Sequence, residues 1–153
     1  MPGIRKSLVS ITREDILAIC AQKWPEDEQL EFKEDLPAKK GKGNDLWYTL
    51  PRGIGEYARN KILEEVVALA NSYGGDLVIG IAETKQKPSR ADSLSALPDC
   101  GDLAERIGQQ AGACIEPPIP SLQTWGVPTE SSGAGVVIVR VSKSRLSPHR
   151  LLG

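Results

Sequence analysis

Residues 61–83 read KILEEVVALANSYGGDLVIGIAE, and the reading of this stretch decides the fold. Ile62, Leu63, Val66, Val67, Leu69 and Ala70 recur at three- and four-residue spacing, which makes one apolar face of a helix. Gly74 supplies the left-handed backbone position that ends a helix, and Gly75 lets the chain reverse at once. Leu77, Val78, Ile79 and Ile81 follow as a near-continuous apolar run, the pattern of a strand covered on both faces. The unit expected is helix, glycine turn, buried strand. Its Asn71 is placed to brace the turn through side-chain hydrogen bonds.

Upstream, Thr12 opens a first helix with Glu14 and Asp15 in its first turn, where they complement the helix dipole. Ile16, Leu17, Ile19 and Cys20 form its apolar side, and Trp24 and Pro25 end it. In QLEFKEDL, Leu30 and Phe32 alternate with Glu31 and Lys33, so a half-buried strand is expected with Glu31 and Lys33 projecting together. Residues 36–55 are the least regular part: Lys39, Lys40 and Lys42 among glycines, then Trp47, Tyr48, Pro51 and Arg52. A connection that long is commonly functional or disordered. Aromatics among basic residues suit base stacking beside phosphate contacts, although a surface loop pinned by its aromatics on the core has the same composition.

Downstream, residues 84–99 are polar and proline-punctuated and read as loop. Asp102 caps a second long helix, DLAERIGQQAGACI, with Leu103, Ile107, Ala111 and Cys114 inward; prolines 117, 118 and 120 stop it. SLQTWGV and GAGVVIVRVS predict an antiparallel strand pair across the turn PTESSG. The basic tail KSRLSPHRLLG ends abruptly on apolar residues, which leads us to expect a boundary inside a longer protein.

A chain of 153 residues, 40% hydrophobic and 25% charged, accommodates one globular domain, placed at residues 8–150. No apolar stretch approaches the roughly 20 residues of a membrane span, and MPGIRKSLVS lacks the apolar region of a secretory signal. Cys20, Cys100 and Cys114 are odd in number, with no CxxC pair. They read as reduced thiols of a cytoplasmic protein rather than a zinc site. The net charge of −1 means that a nucleic-acid partner would need a local basic patch.

Glu26, Glu31 and Glu83 bracket the ends of two expected strands. Carboxylates converging there would suit Mg²⁺ or Mn²⁺, hard cations that drive phosphodiester cleavage; three solvated acids among twenty Asp and Glu have the same spacing. The sole histidine, His149, is a general base, a phosphate contact or a structural residue. Basic clusters recur at Lys39, Lys40 and Lys42; at Arg52, Arg59 and Lys61; at Lys85, Lys87 and Arg90; and at Arg140, Lys143, Arg145 and Arg150. Each is an ordinary solvated face alone, and their recurrence favours a phosphate-bearing partner. No GxxxxGK[ST] loop supports ATP, and no GxSxG elbow supports a serine hydrolase.

The succession LEFK, a helix ending ANSYGG, LVIGIAE, IEPP and SPH resembles the Schlafen-type Alba-like (AlbA_2) domain, over residues 11–149. Bacterial members occur in transcriptional regulators and in proteins formerly labelled divergent AAA. The resemblance implies an α/β (α+β) fold, with a mostly antiparallel or mixed sheet flanked by helices, and a role in binding DNA or RNA. Vertebrate Schlafen nucleases carry ExxxxEFK plus an acid after the GG-strand as a metal-dependent RNA-cleaving site. Residues 26–33, EDEQLEFK, fit that pattern, and Glu83 stands where the family has aspartate.

Three functions follow as expectations. The first is a nucleic-acid-binding domain of a bacterial transcriptional regulator, using Lys39, Lys40, Lys42, Trp47, Arg52, Arg59, Arg145 and His149. The second is an Mg²⁺- or Mn²⁺-dependent endoribonuclease, with Glu26, Glu31 and Glu83 as metal ligands and Lys33 near the scissile phosphate. The third is a dimerisation or scaffold module. A homodimer is compatible with all three, and a membrane or ATP with none.

Overall fold

Apolar side chains alternate along the central strands and so divide the core between two faces of one sheet. The computed structural model describes residues 4–39, 45, 47 and 53–152. After a 3-10 turn at Leu8–Ser10 come α1 (Arg13–Ala21), β1 (Leu30–Lys33), α2 (Glu56–Asn71), β2 (Gly74–Ile79), β3 (Ile81–Glu83) and β4 (Ala91–Leu94). Then follow α3 (Cys100–Cys114), β5 (Ile115–Glu116), β6 (Gln123–Pro128), β7 (Gly135–Ser142) and β8 (Arg150–Leu151). The main sheet has the order β1-β2-β7-β6, with β1 parallel to β2 and the other pairs antiparallel. β3 pairs with β4, and β5 with β8, in two small antiparallel ribbons. The α+β fold with a mixed sheet between helices is as expected.

Leu77 and Ile79 of β2 and Val137, Val139 and Val141 of β7 face α2 and α3. Val78, Val136 and Ile138 face the other way, with Leu30, Phe32, Ile16 and Ile19. Helices therefore cover both faces, which is why β2 reads as an unbroken apolar run. α2 buries Ile62, Leu63, Val66, Leu69 and Ala70, and α3 buries Leu103, Ile107 and Ala111, as the spacings predict. Thr12 and Asp15 form a capping box at the start of α1, each satisfying a backbone N–H of the other's residue.

Four local expectations fail, each for a physical reason. The apolar run does not continue as one strand. Gly80 takes φ +117° and turns β3 away, so residues 91–94 leave the expected loop to pair with it. Asp102 is not the cap of α3: the helix begins at Cys100, whose N–H donates to Gly133 O, while Asp102 pairs with Arg106 at 2.9 Å. α2 starts at Glu56, before the apolar periodicity of residues 62–70 is visible. Asn71 does not brace the glycine turn; it donates to His149 O (3.0 Å) and accepts from His149 N (2.7 Å), so it fastens the C-terminal segment.

Asp76 and Arg140 face each other across β2 and β7. Arg140 Nε donates to Asp76 Oδ1 (2.8 Å) and Nη2 to Oδ2 (3.0 Å). The same guanidinium donates to the carbonyls of Ile4 and Lys6, while Ile4 N donates to Asp76 Oδ2. Both charges are thus paired and hydrogen-bonded, the condition under which burial is tolerated. Arg140→Ala leaves Asp76 buried and uncompensated, so urea denaturation is expected to show a loss of about 3–5 kcal/mol. A loss below about 1 kcal/mol, the range of a surface pair, would contradict this reading.

Candidate functional site

Because Leu30 and Phe32 are committed to the α1 side of the sheet, β1 presents Glu31 and Lys33 to the α2 side. There Lys33 Nζ meets Glu65 Oε1 of α2 at 2.9 Å, and the Glu31 carboxyl hydrogen-bonds the Glu65 carboxylate. Glu26 occupies the free edge of β1, where Phe32 N donates to its Oε2 (2.8 Å). From that edge its carboxyl reaches Glu83 at the end of β3, with the Lys87 ammonium nearby. Glu31 and Glu65 open onto a cleft of about 390 Å³, lined also by Asp27, Glu28 and Glu64 over an apolar floor of Ala68 and Leu69.

Four carboxyl groups and one buried-side lysine thus form one network. Burial pushes the Glu31 carboxyl up to about 8, and the adjacent Glu65 carboxylate adds to this. Glu26 is pushed up to about 7, first by burial and then by Glu83, against the lowering effect of the Phe32 N–H. For Glu65, burial is outweighed by the Glu31 hydrogen bond and the Lys33 ammonium, and the group stays below its ordinary value. Lys33 is held above its ordinary value because Glu65, Glu31 and Glu83 outweigh its own burial. With Glu31 and Glu65 both ionised, Glu65 Oε2 is buried with no hydrogen-bond partner among the described residues. A proton on Glu31 resolves this, since two bare carboxylates have no donor to share.

The sequence reading brings Glu26, Glu31, Glu83 and Lys33 into this one neighbourhood but misses Glu65. Its signal is weak: a charge three residues after Ile62 and four before Leu69, at the margin of the buried stripe of α2. The expected three-carboxylate metal centre is not assembled. Among the described residues, no group of three or more His, Cys, Asp or Glu could hold a metal ion. The acids stand two by two, Glu26 with Glu83 and Glu31 with Glu65. This donor set does not fit a divalent cation as it stands.

The expected nucleic-acid contacts fare unevenly. Lys39 and Arg145 are exposed, and Arg59 is half-buried, with Nε donating to Asn60 Oδ1 (3.1 Å). Lys40, Lys42 and Arg52 lie outside the described residues. Trp47 is a correction. It is only 2% exposed in the α2–α3 core, with the Arg106 guanidinium 5.6 Å from its ring, so its face is not available to a base. His149 is a second correction. At 3% exposure its ring nitrogens meet Pro117 O and Ser144 Oγ, so it ties the C-terminal segment down rather than meeting a phosphate. Exposed cations also stand on the β3–β4 hairpin, Lys85, Lys87 and Arg90, with Lys87 near Glu26. Arg90 bridges to Pro25, and Ser89 O accepts from Glu26 N.

The fold has a solved counterpart. The solution NMR structure of the N-terminal domain of a RecG-related protein from Nitrosomonas europaea superposes with a TM-score of 0.55 at 14% identity, covering 94% of this chain and 82% of that one. No curated protein matches the sequence. The family profile described as Schlafen, AlbA_2 matches residues 26–151. The chain belongs to that family.

Glu26 and Glu31 titrate in the folded state above the ordinary carboxyl value of 4.5. The folded protein therefore holds protons that the unfolded chain releases, so stability falls as pH rises from about 4.5 through 7–8 and levels off above that. Glu31→Gln keeps a neutral donor beside Glu65 and is expected to flatten this slope. It should stabilise the protein at pH 9 by roughly 1–2 kcal/mol, a figure reduced for solvent screening of a half-exposed group. Denaturation midpoints at pH 5.5 and 9 measure it; equal slopes in variant and wild type would count against a shared proton.

Proposed function

We propose that this chain is a cytoplasmic nucleic-acid-binding domain, comprising residues 8–150 of a longer bacterial regulator. The observation that carries the reading is the β3–β4 hairpin, which holds Lys85, Lys87 and Arg90 exposed on one short ribbon. Neither Lys85 nor Arg90 makes an ion pair among the described residues. Exposed cations without an ion-pair partner suit a phosphate backbone, and among the described residues the Arg90 side chain holds only the Lys23 carbonyl, through Nη1 (3.3 Å). Membership of the Schlafen AlbA_2 family supports this reading, and so does a structural counterpart taken from a protein named for its relation to a DNA helicase. Lys39 and Arg145 are the remaining exposed cations of the expected set.

Fluorescence anisotropy with labelled single-stranded RNA, duplex RNA and duplex DNA tests this. Affinity is expected to fall steeply as salt rises from about 50 to 200 mM. Lys85→Glu combined with Arg90→Glu should weaken binding by about tenfold or more and reduce the salt slope. Absence of binding to all three probes at low salt would remove the proposal.

One observation favours a second reading, metal-dependent endoribonuclease activity. Glu26 lies beside Glu83 and Glu31 beside Glu65, with Glu26 and Glu31 raised by burial and by those neighbours, and a divalent cation is the chemical alternative to a proton between paired carboxyl groups. The carboxylates would have to leave their present pairs to receive it. This reading predicts Mn²⁺-dependent cleavage of structured RNA that is lost in Glu31→Ala; cleavage unchanged in that variant belongs to another protein in the preparation.

A further inference from the structure

The main sheet has two edges, and they are treated differently. On β1 the outward-facing backbone is already occupied. Leu30 N donates to Asp27 O, Asp27 N to Leu30 O, and Phe32 N to Glu26 Oε2. That edge cannot accept another strand without losing these bonds.

β6 is the opposite case. Gly135 of β7 uses both its N–H and its carbonyl on Leu97, on the side away from β6. The Gly135–Pro128 pair is therefore a non-hydrogen-bonded pair of the β6–β7 ladder, and by the two-residue alternation so are Val137–Gly126 and Val139–Thr124. Thr124 and Gly126 consequently point their N–H and carbonyl groups outward. Among the described residues nothing bonds to them. The strand QTWGVP carries no charge, its single proline is its last residue, and Trp125 at its middle is 41% exposed. The usual protections of an edge are thus missing: lysine, a bulge, an inward charge or a cover.

We infer that β6 pairs antiparallel with β6 of a second copy about a two-fold axis at Trp125. This occupant follows from the asymmetry of the edges. With β1 closed, head-to-tail addition has no acceptor, so the only self-association open to the sheet is edge β6 on edge β6, which closes as a dimer. The register follows from the backbone. Only a pairing of Thr124 with Gly126 of the other copy, and the reverse, brings outward groups opposite outward groups at both positions. That register sets the two Trp125 residues directly across from each other in a non-hydrogen-bonded pair. Their Cα atoms are then about 4.5 Å apart, with both rings on one face of a continuous eight-stranded sheet. An uncharged strand paired with itself places no like charges together.

The test is sedimentation equilibrium of the full chain at about 100 μM, above the micromolar Kd expected of a small interface. Wild type is expected at twice the 16.5 kDa of one chain. Two variants are expected at 16.5 kDa with unchanged far-UV circular dichroism: Trp125→Lys, which opposes two cations at the axis, and Thr124→Pro, which removes an outward N–H without touching the β7 ladder. Should Thr124→Pro alter the dichroism, Trp125→Lys decides alone. Mild oxidation of Trp125→Cys should add a disulfide-linked dimer absent from wild type, whose Cys20, Cys100 and Cys114 serve as the background. A monomeric wild type, a mass other than twice the chain, a dimer that survives Trp125→Lys, or no added cross-link in Trp125→Cys overturns the inference.

Discussion

The close approach of β1 to β2 is the contact on which the rest of the molecule depends. Gly74 and Gly75 take φ of 75° and 143°, and a Cβ on Gly75 would collide with the backbone of Gln29. With glycine there, Asp76 N reaches Gln29 O at 2.9 Å and the parallel register starts one residue on, Leu30 beside Asp76. That register aligns Glu31 with Leu77 and Lys33 with Ile79 on the face that α2 covers. A one-residue slip would send both charges into the α1 side of the core and Phe32 towards Glu65. The turn therefore has no chemistry of its own, yet it fixes where the chemistry-bearing side chains stand.

The same register explains why the charges are tolerated. β1 is an edge strand, so Glu31 and Lys33 meet α2 at the rim of the core, where water still reaches them. Lys33 neutralises Glu65 at 2.9 Å, and Glu31, beside that pair, is raised by burial and by the Glu65 carboxylate. Desolvation is the first cause of the raised values of both Glu26 and Glu31, so the network depends on packing by α2 and β3 as much as on mutual repulsion.

What the sequence disclosed was whatever one element's periodicity could carry. Leu30 and Phe32 announced β1, the stripe from Ile62 to Ala70 announced α2, Leu103, Ile107 and Ala111 announced α3, and the valines of residues 136–141 announced β7. Features settled between elements stayed hidden. Nothing in the polar ADSL of β4 signals a strand, because its partner β3 exists only once Gly80 has turned the chain. Trp47 looked like an exposed stacking platform because its loop is basic, whereas Arg106, fifty-nine residues away, pins its carbonyl at 2.8 Å and holds it in the core. His149 looked reactive by being alone, yet Asn71 and Ser144 had already claimed it. Glu65 was one acid in a helix with several, and only the packing of α2 on β1 separates it from Glu64.

Glu26 joins the network while also closing the β1 edge through Phe32 N. An unprotected edge invites the pairing of other chains, so an acceptor at this position has a use in this fold apart from any chemistry. The first glutamate of ExxxxEFK is therefore an architectural residue here, with one oxygen on Phe32 N and its carboxyl reaching Glu83. In this chain the sheet alone accounts for Glu26, and the acids that α2 and β3 bring to the network, Glu65 and Glu83, take no part in closing that edge.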